Sequence, residues 1–144
     1  MFGYFKWRRS VNRAGEYCQT MFAGIGRFEG KSLPAQVIGD AYVLGFLQQL
    51  IVFAIHEEYG GNPGPAKLIS ASRAAFNLLA PTQGDQLMAA LQAVNSPSHF
   101  GHVNYSVGRR EGGEYLAALM AGDIDTQADR MTSFRDFVRR NYLH

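Results

Sequence analysis

AYVLGFLQQLIVFAI, residues 41–55, decides the fold. The stretch carries no charge, and its apolar positions recur at helical spacing. Ala41, Leu44, Leu47, Ile51, Ala54 and Ile55 continue a stripe that starts at Val37 and Ile38. Val43, Phe46, Leu50 and Phe53 make the other faces apolar as well. A helix apolar nearly all round belongs in the middle of a protein, packed on several sides. A pair of strands is the alternative for 41–55, and the helical segments on either side argue against it. The run falls short of the ~20 apolar residues that a bilayer crossing needs. Ser32 as cap, Pro34 in the first turn and the stop at Gly60-Gly61-Asn62-Pro63 predict one central helix over about 33–59. Gly39 or Gly45 would kink it or admit a close neighbour.

The segments around it read as further helices. Val11, Ala14, Cys18, Met21, Phe22 and Ile25 form one face, with Ser10 as the expected N-cap and Gly24, Gly26 and Gly30 as the end. Residues 1–9 either extend this helix or form a semi-independent arm. Pro65 opens a helix whose stripe is Leu68, Ile69, Ser72, Ala75, Phe76 and Leu79, and Pro81 closes it. Thr82 to Asp85 resembles a capping box before Leu87, Met88, Leu91 and Val94. Residues 96–113 have poor periodicity and four glycines, at 101, 108, 112 and 113, and so read mainly as a long connection. A short helix over about 114–121 follows. Asp125 or Thr126 caps the last helix, whose apolar stripe is Ala128, Met131, Phe134, Val138 and Tyr142. The fold expected is all-α: a single irregular bundle of about six helices around the central one, with residues 1–144 as one domain.

Composition agrees with that expectation. The chain has 144 residues, of which 47% are hydrophobic and 18% charged, enough apolar content for a core without metal or disulfide. The net charge of +2 does not call for a nucleic-acid partner. The charges are uneven: residues 1–31 carry six basic and two acidic groups, whereas residues 32–104 hold only two and four. So uncharged a middle is buried in its own core or against a partner. Eleven of the fourteen basic residues are arginine, which favours bidentate and stacked contacts. One cysteine, Cys18, excludes an intrachain disulfide, suits a reducing cytoplasm, and reads as a buried thiol. The first residues show neither a secretory signal pattern nor a myristoylation pattern.

Three groups of residues could carry function. The first is His99 and His102, with Asn104, Tyr105, Arg109 and Arg110 close behind. Two imidazoles three apart could share a metal with His56, Glu57 or Glu58, and the arginines could clamp an anion. No zincin, di-iron, P-loop, dinucleotide-binding or nucleophile-elbow pattern is present, so no cofactor is implied. The second is His56-Glu57-Glu58, where adjacent residues on a helix do not face each other and a base would need a partner from elsewhere. The third is the aromatic and cationic start, in which Phe2, Tyr4, Phe5 and Trp7 interleave with Lys6, Arg8 and Arg9. Such a mixture suits a protein groove, a membrane interface or nucleic-acid bases.

The expectation is a non-catalytic helical interaction or assembly module, self-associating or bound to a protein partner, with Phe5, Trp7, Arg8 and Arg9 in contact. The alternative is an anion- or metal-binding protein or enzyme, with His56, His99, His102, Arg109 and Arg110 converging between the central helix and residues 96–113.

Overall fold

A computed structural model of the chain describes residues 2–23, 25 and 32–142. Every regular element among them is a helix: α1 (Phe2–Phe22), α2 (Ala35–Ile38), α3 (Ala41–Tyr59), α4 (Pro65–Leu79), α5 (Gly84–Val94), α6 (His102–Ala121) and α7 (Ile124–Tyr142). All seven contribute to one buried apolar cluster. The end of the first helix that the glycines at 24, 26 and 30 suggested lies largely outside the described residues.

The segment 33–59 is two helices rather than one. Pro34, not Ser32, stands at the N-cap of α2, and the chain breaks at Gly39 and Asp40. Asp40 then caps α3: its Oδ1 accepts the Val43 N–H at 2.9 Å. That bond satisfies an amide left open at a helix start, so a fresh helix begins there. At the other end Gly60 takes a left-handed φ of 70° and closes α3, with the Gly61 amide donating back to the His56 carbonyl. Leu44, Phe46, Leu47, Leu50, Ile51, Ala54 and Ile55 are all fully buried, because α1, α4, α5 and α6 surround α3.

Residues 2–9 continue α1 without interruption. Ser10 is not a cap; it is buried in mid-helix and its hydroxyl donates to the Trp7 carbonyl at 2.7 Å. The arm is held by the far end of α3. Arg9 pairs with Glu58 at 3.2 Å, Arg13 with Glu57 at 2.6 Å, and the Tyr59 hydroxyl donates to the Gly3 carbonyl at 3.5 Å. α1 therefore runs antiparallel to α3 and alongside α4. Arg135 of α7 donates to the carbonyls of Met21 and Thr20 in the last turn of α1, where carbonyls lack full intrahelical partners.

The segment 96–113 is the main departure from expectation. It is a turn followed by the first half of α6, not a long connection. The glycines form the face that α6 lays on α3. A Cβ on Gly108 would fall 2.2 Å from the Tyr42 carbonyl oxygen, and one on Gly112 would fall 3.0 Å from that of Phe46. From the other side, a Cβ on Gly45 would meet the Tyr105 carbonyl oxygen at 2.1 Å. The two backbones touch, and side chains there would hold them apart.

Two further caps differ from expectation. Thr82 has a left-handed φ of 68°, which an N-cap residue does not adopt, so Gln83 precedes α5 and the Gly84 amide donates to Asn77 Oδ1. Gln83 instead holds Leu33 by both its amide atoms, at 2.7 and 3.0 Å. Asp123, rather than Asp125 or Thr126, caps α7 by accepting the amide and the hydroxyl of Thr126.

Candidate functional site

The close α3–α6 contact leaves a cleft on one side, where α7 completes the wall. It holds about 460 Å³ between the head of α3, the first three turns of α6, and α7. Its floor is Val107 and Phe137, with the Phe137 ring 4.6 Å from that of Tyr42. Its polar wall carries two sets of paired groups. The Tyr42 hydroxyl donates to Glu111 at 2.9 Å, and the Tyr142 hydroxyl donates to Asp40. Asp40 thus gives one oxygen to the α3 cap and the other to α7. Arg130 lies 3.3 Å from Glu114 and 4.0 Å from Glu111. Asn104, Ser133 and Arg140 complete the lining. Two carboxylates and two guanidiniums line one cleft with an apolar base.

Burial pushes the Tyr42 hydroxyl well above its ordinary pKa, and the bond to Glu111 pushes it further the same way. Tyr142 is raised by burial and then by Asp40. Both phenols stay protonated donors at neutral pH, which suits holding a group better than exchanging a proton with it. The same shifts set an alkaline limit. A raised folded pKa gives stability that is present below the unfolded value and lost above it. Unfolding midpoints are expected to fall as pH rises past about 10, and Tyr142→Phe is expected to flatten that slope. A slope unchanged by the substitution would count against the Tyr142–Asp40 bond.

Of the residues that the sequence singled out, Asn104 lines this cleft and the others lie outside its lining. His99 Nδ1 accepts the Gly101 amide at 2.9 Å, and its ring stacks on Phe100. His102 Nδ1 is 3.0 Å from the Val94 carbonyl. Arg109 donates to Gln49 at 2.6 Å and to the Tyr105 hydroxyl at 3.0 Å, on the face of α6 turned to α3. Arg110 is exposed beside Glu114. His56 sits in the last turn of α3, about 22 Å along the axis from the head that meets Gly101. His102 and Arg109, two turns apart on α6, both contact Tyr105, whose ring lies 5.9 Å from the His102 ring and 5.9 Å from the Arg109 guanidinium. Arg110 beside Glu114 and His56 at the other end of α3 stand apart from them. Among the described residues no group of three or more His, Cys, Asp or Glu is placed to share a metal ion. Cys18 is fully buried, and burial raises its thiol pKa.

Bare apolar side chains occur at several places, among them Met120 and Ile124 where α6 meets α7, Ile69 and Leu78 on α4, and two surfaces that combine them with other features. Phe100, in the turn before α6, is 96% exposed, and Val103 is 73% exposed. Val103 lies one turn before Val107 on the same side of α6, so an apolar strip leads into the cleft. The second surface is the start of α1. Tyr4 is 56% and Phe5 51% exposed, and Arg8 donates to the Tyr4 hydroxyl at 3.4 Å. Trp7 is half-buried, packed on the core and stacked with Tyr4. Phe5 and Arg8 thus remain available for contact, whereas Trp7 and Arg9 are partly engaged within the molecule.

Sequence reasoning missed Asp40, Tyr42, Glu111, Arg130, Phe137 and Arg140. Tyr142 appeared only as a core residue. Residues 40 and 142 meet across 102 positions, and no local pattern marks such a pair. The chain matches no protein-family model, no curated protein and no solved structure. No helix of the described residues is long and apolar enough to cross a membrane.

Proposed function

We propose that this protein is a helical interaction module without catalytic chemistry, which binds a second copy of itself through the surface at the head of α6. The observation that carries this reading is Phe100. A phenylalanine 96% exposed, beside Val103 and at the approach to an apolar-floored cleft, has the form of an unfilled contact. Buried aromatic anchors supply most of the binding energy of an interface, and a polar rim fixes its register. Here Asp40, Glu111, Arg130 and Arg140 supply the rim, with both signs of charge, so two copies related by a twofold axis can meet without net repulsion.

Sedimentation velocity as a function of concentration tests this. The wild-type chain is expected to sediment as a dimer at the upper concentrations. The double substitution Phe100→Ser with Val103→Ser is expected to weaken self-association by about tenfold or more while leaving the unfolding midpoint in place. Sedimentation as one chain at every concentration would sink self-association.

A second reading has its own observation: the polar wall of the cleft pairs two carboxylates with two guanidiniums at small-molecule scale. That arrangement supports a small zwitterionic ligand. It predicts a single chain carrying extra organic mass in native mass spectrometry, a mass that Arg130→Gln should abolish.

A further inference from the structure

We infer that the first turns of α1, together with Lys67, form a docking surface for an anionic lipid bilayer. Four observations support it. Tyr4 and Phe5 are bare on the outside of the molecule, edge to face with ring centroids 5.9 Å apart. Arg8 and Arg9 stand three and four residues after Phe5, so cations flank the aromatic ring on one outward face. Lys6 is exposed beside them, and Lys67 reaches this end of the bundle, its Nζ lying 5.6 Å from the Tyr59 ring and close to Gly3. Among the described residues, Arg9 and Arg13 of this group pair with Glu58 and Glu57, so five cations, Lys6, Arg8, Arg9, Arg13 and Lys67, stand against these two carboxylates and Glu16 one turn further along α1.

Charge complementarity selects the partner. An excess of cations around exposed aromatic rings fits the interface of an acidic membrane, where the rings enter at headgroup depth and the cations meet phosphate and carboxylate. The surface is the convex outer side of a helix, which suits a plane. A single nucleic-acid strand is better held in a groove with free ring faces, and here Tyr4 is already stacked on Trp7. The site lies at the opposite end of α3 from Phe100 and is independent of the α6 surface.

The chain's single tryptophan, Trp7, sits half-buried behind the two rings and serves as an internal reporter. The intact protein is mixed with vesicles of phosphatidylcholine alone, or with about a third phosphatidylserine, at low salt. Sedimentation with the acidic vesicles and a blue shift of Trp7 emission are expected, with neither seen for the neutral ones. Removing two cations by Arg8→Gln and Lys67→Gln is expected to weaken binding by about twentyfold. Phe5→Ser is expected to weaken it by roughly tenfold at unchanged charge. All three positions are exposed, so circular dichroism should be unaltered. Equal binding to both vesicle types, variants that bind like wild type, or no sedimentation with acidic vesicles would each overturn the inference. So would retention of a single-stranded oligonucleotide by a chain that ignores the vesicles.

Discussion

Gly108→Val is expected to unfold the protein, or to bring its stability close to zero. The added Cβ would sit 2.2 Å from the Tyr42 carbonyl oxygen and 2.8 Å from the Phe46 amide nitrogen. Both are backbone atoms inside α3, so no side chain can rotate away. Only separation of α6 from α3 relieves the contact, and that separation opens the centre of the core. Overpacking a core costs about 1–3 kcal/mol when flexible neighbours can yield. Here they cannot, and the loss should exceed that range against a total of about 5–15 kcal/mol. Gly113→Ala is the matched control. Its Cβ would meet only Gln49 Cγ, at 4.0 Å. Alanine there should stabilise the helix by up to about 1 kcal/mol. Urea unfolding of both variants decides the matter. A Gly108→Val chain with a wild-type midpoint would show that α3 and α6 do not approach as closely as described.

Phe134→Ala should be the most damaging truncation on α7. The ring is fully buried and joins three helices. It meets Phe22 of α1 edge to face at 5.4 Å, Phe46 of α3 at 4.8 Å and Tyr42 at 6.3 Å. Of α7, only Phe134 and Val138 are fully in the core, so its attachment depends on few side chains. Removing the ring should cost about 3–5 kcal/mol, through lost burial and the cavity left behind. Phe134→Leu keeps most of the volume and should cost less. Amide hydrogen exchange should show α7 opening before α3 in the alanine variant, since the contacts of α3 with α1, α4 and α5 survive. Equal losses for alanine and leucine would mean that the aromatic contacts do not set the attachment.

The cores of α1, α4 and α5 were legible because large apolar side chains recur every three or four residues there. Val11, Ala14, Cys18, Met21 and Phe22 were read as one face and are buried. Leu87, Met88, Leu91 and Val94 were read likewise and are also buried. The start of α6 was illegible for the opposite reason. Its packing face is made by Gly101, Gly108 and Gly112, residues that a hydropathy pattern treats as breaks. Tyr105, the large apolar residue on that face, gives no period by itself. The break between α2 and α3 was marked only by Gly39-Asp40, a signal outweighed by the apolar stripe on either side.

By itself the sequence determined the all-helical class, most of the buried positions, the helix stops at Pro81 and Gly60, and a buried Cys18. These follow from local chemistry: period, capping and backbone freedom act within a few residues. The tertiary structure alone decided that 102–113 is helix, that residues 2–9 belong to α1, and that Asp40, Tyr42, Glu111 and Arg130 share one cleft, with Tyr142 bonded to Asp40. A glycine stabilises a helix pair by what it lacks, and that absence gains meaning only from the backbone opposite. A Tyr–Asp bond across 102 residues likewise exists only once packing has brought its ends together.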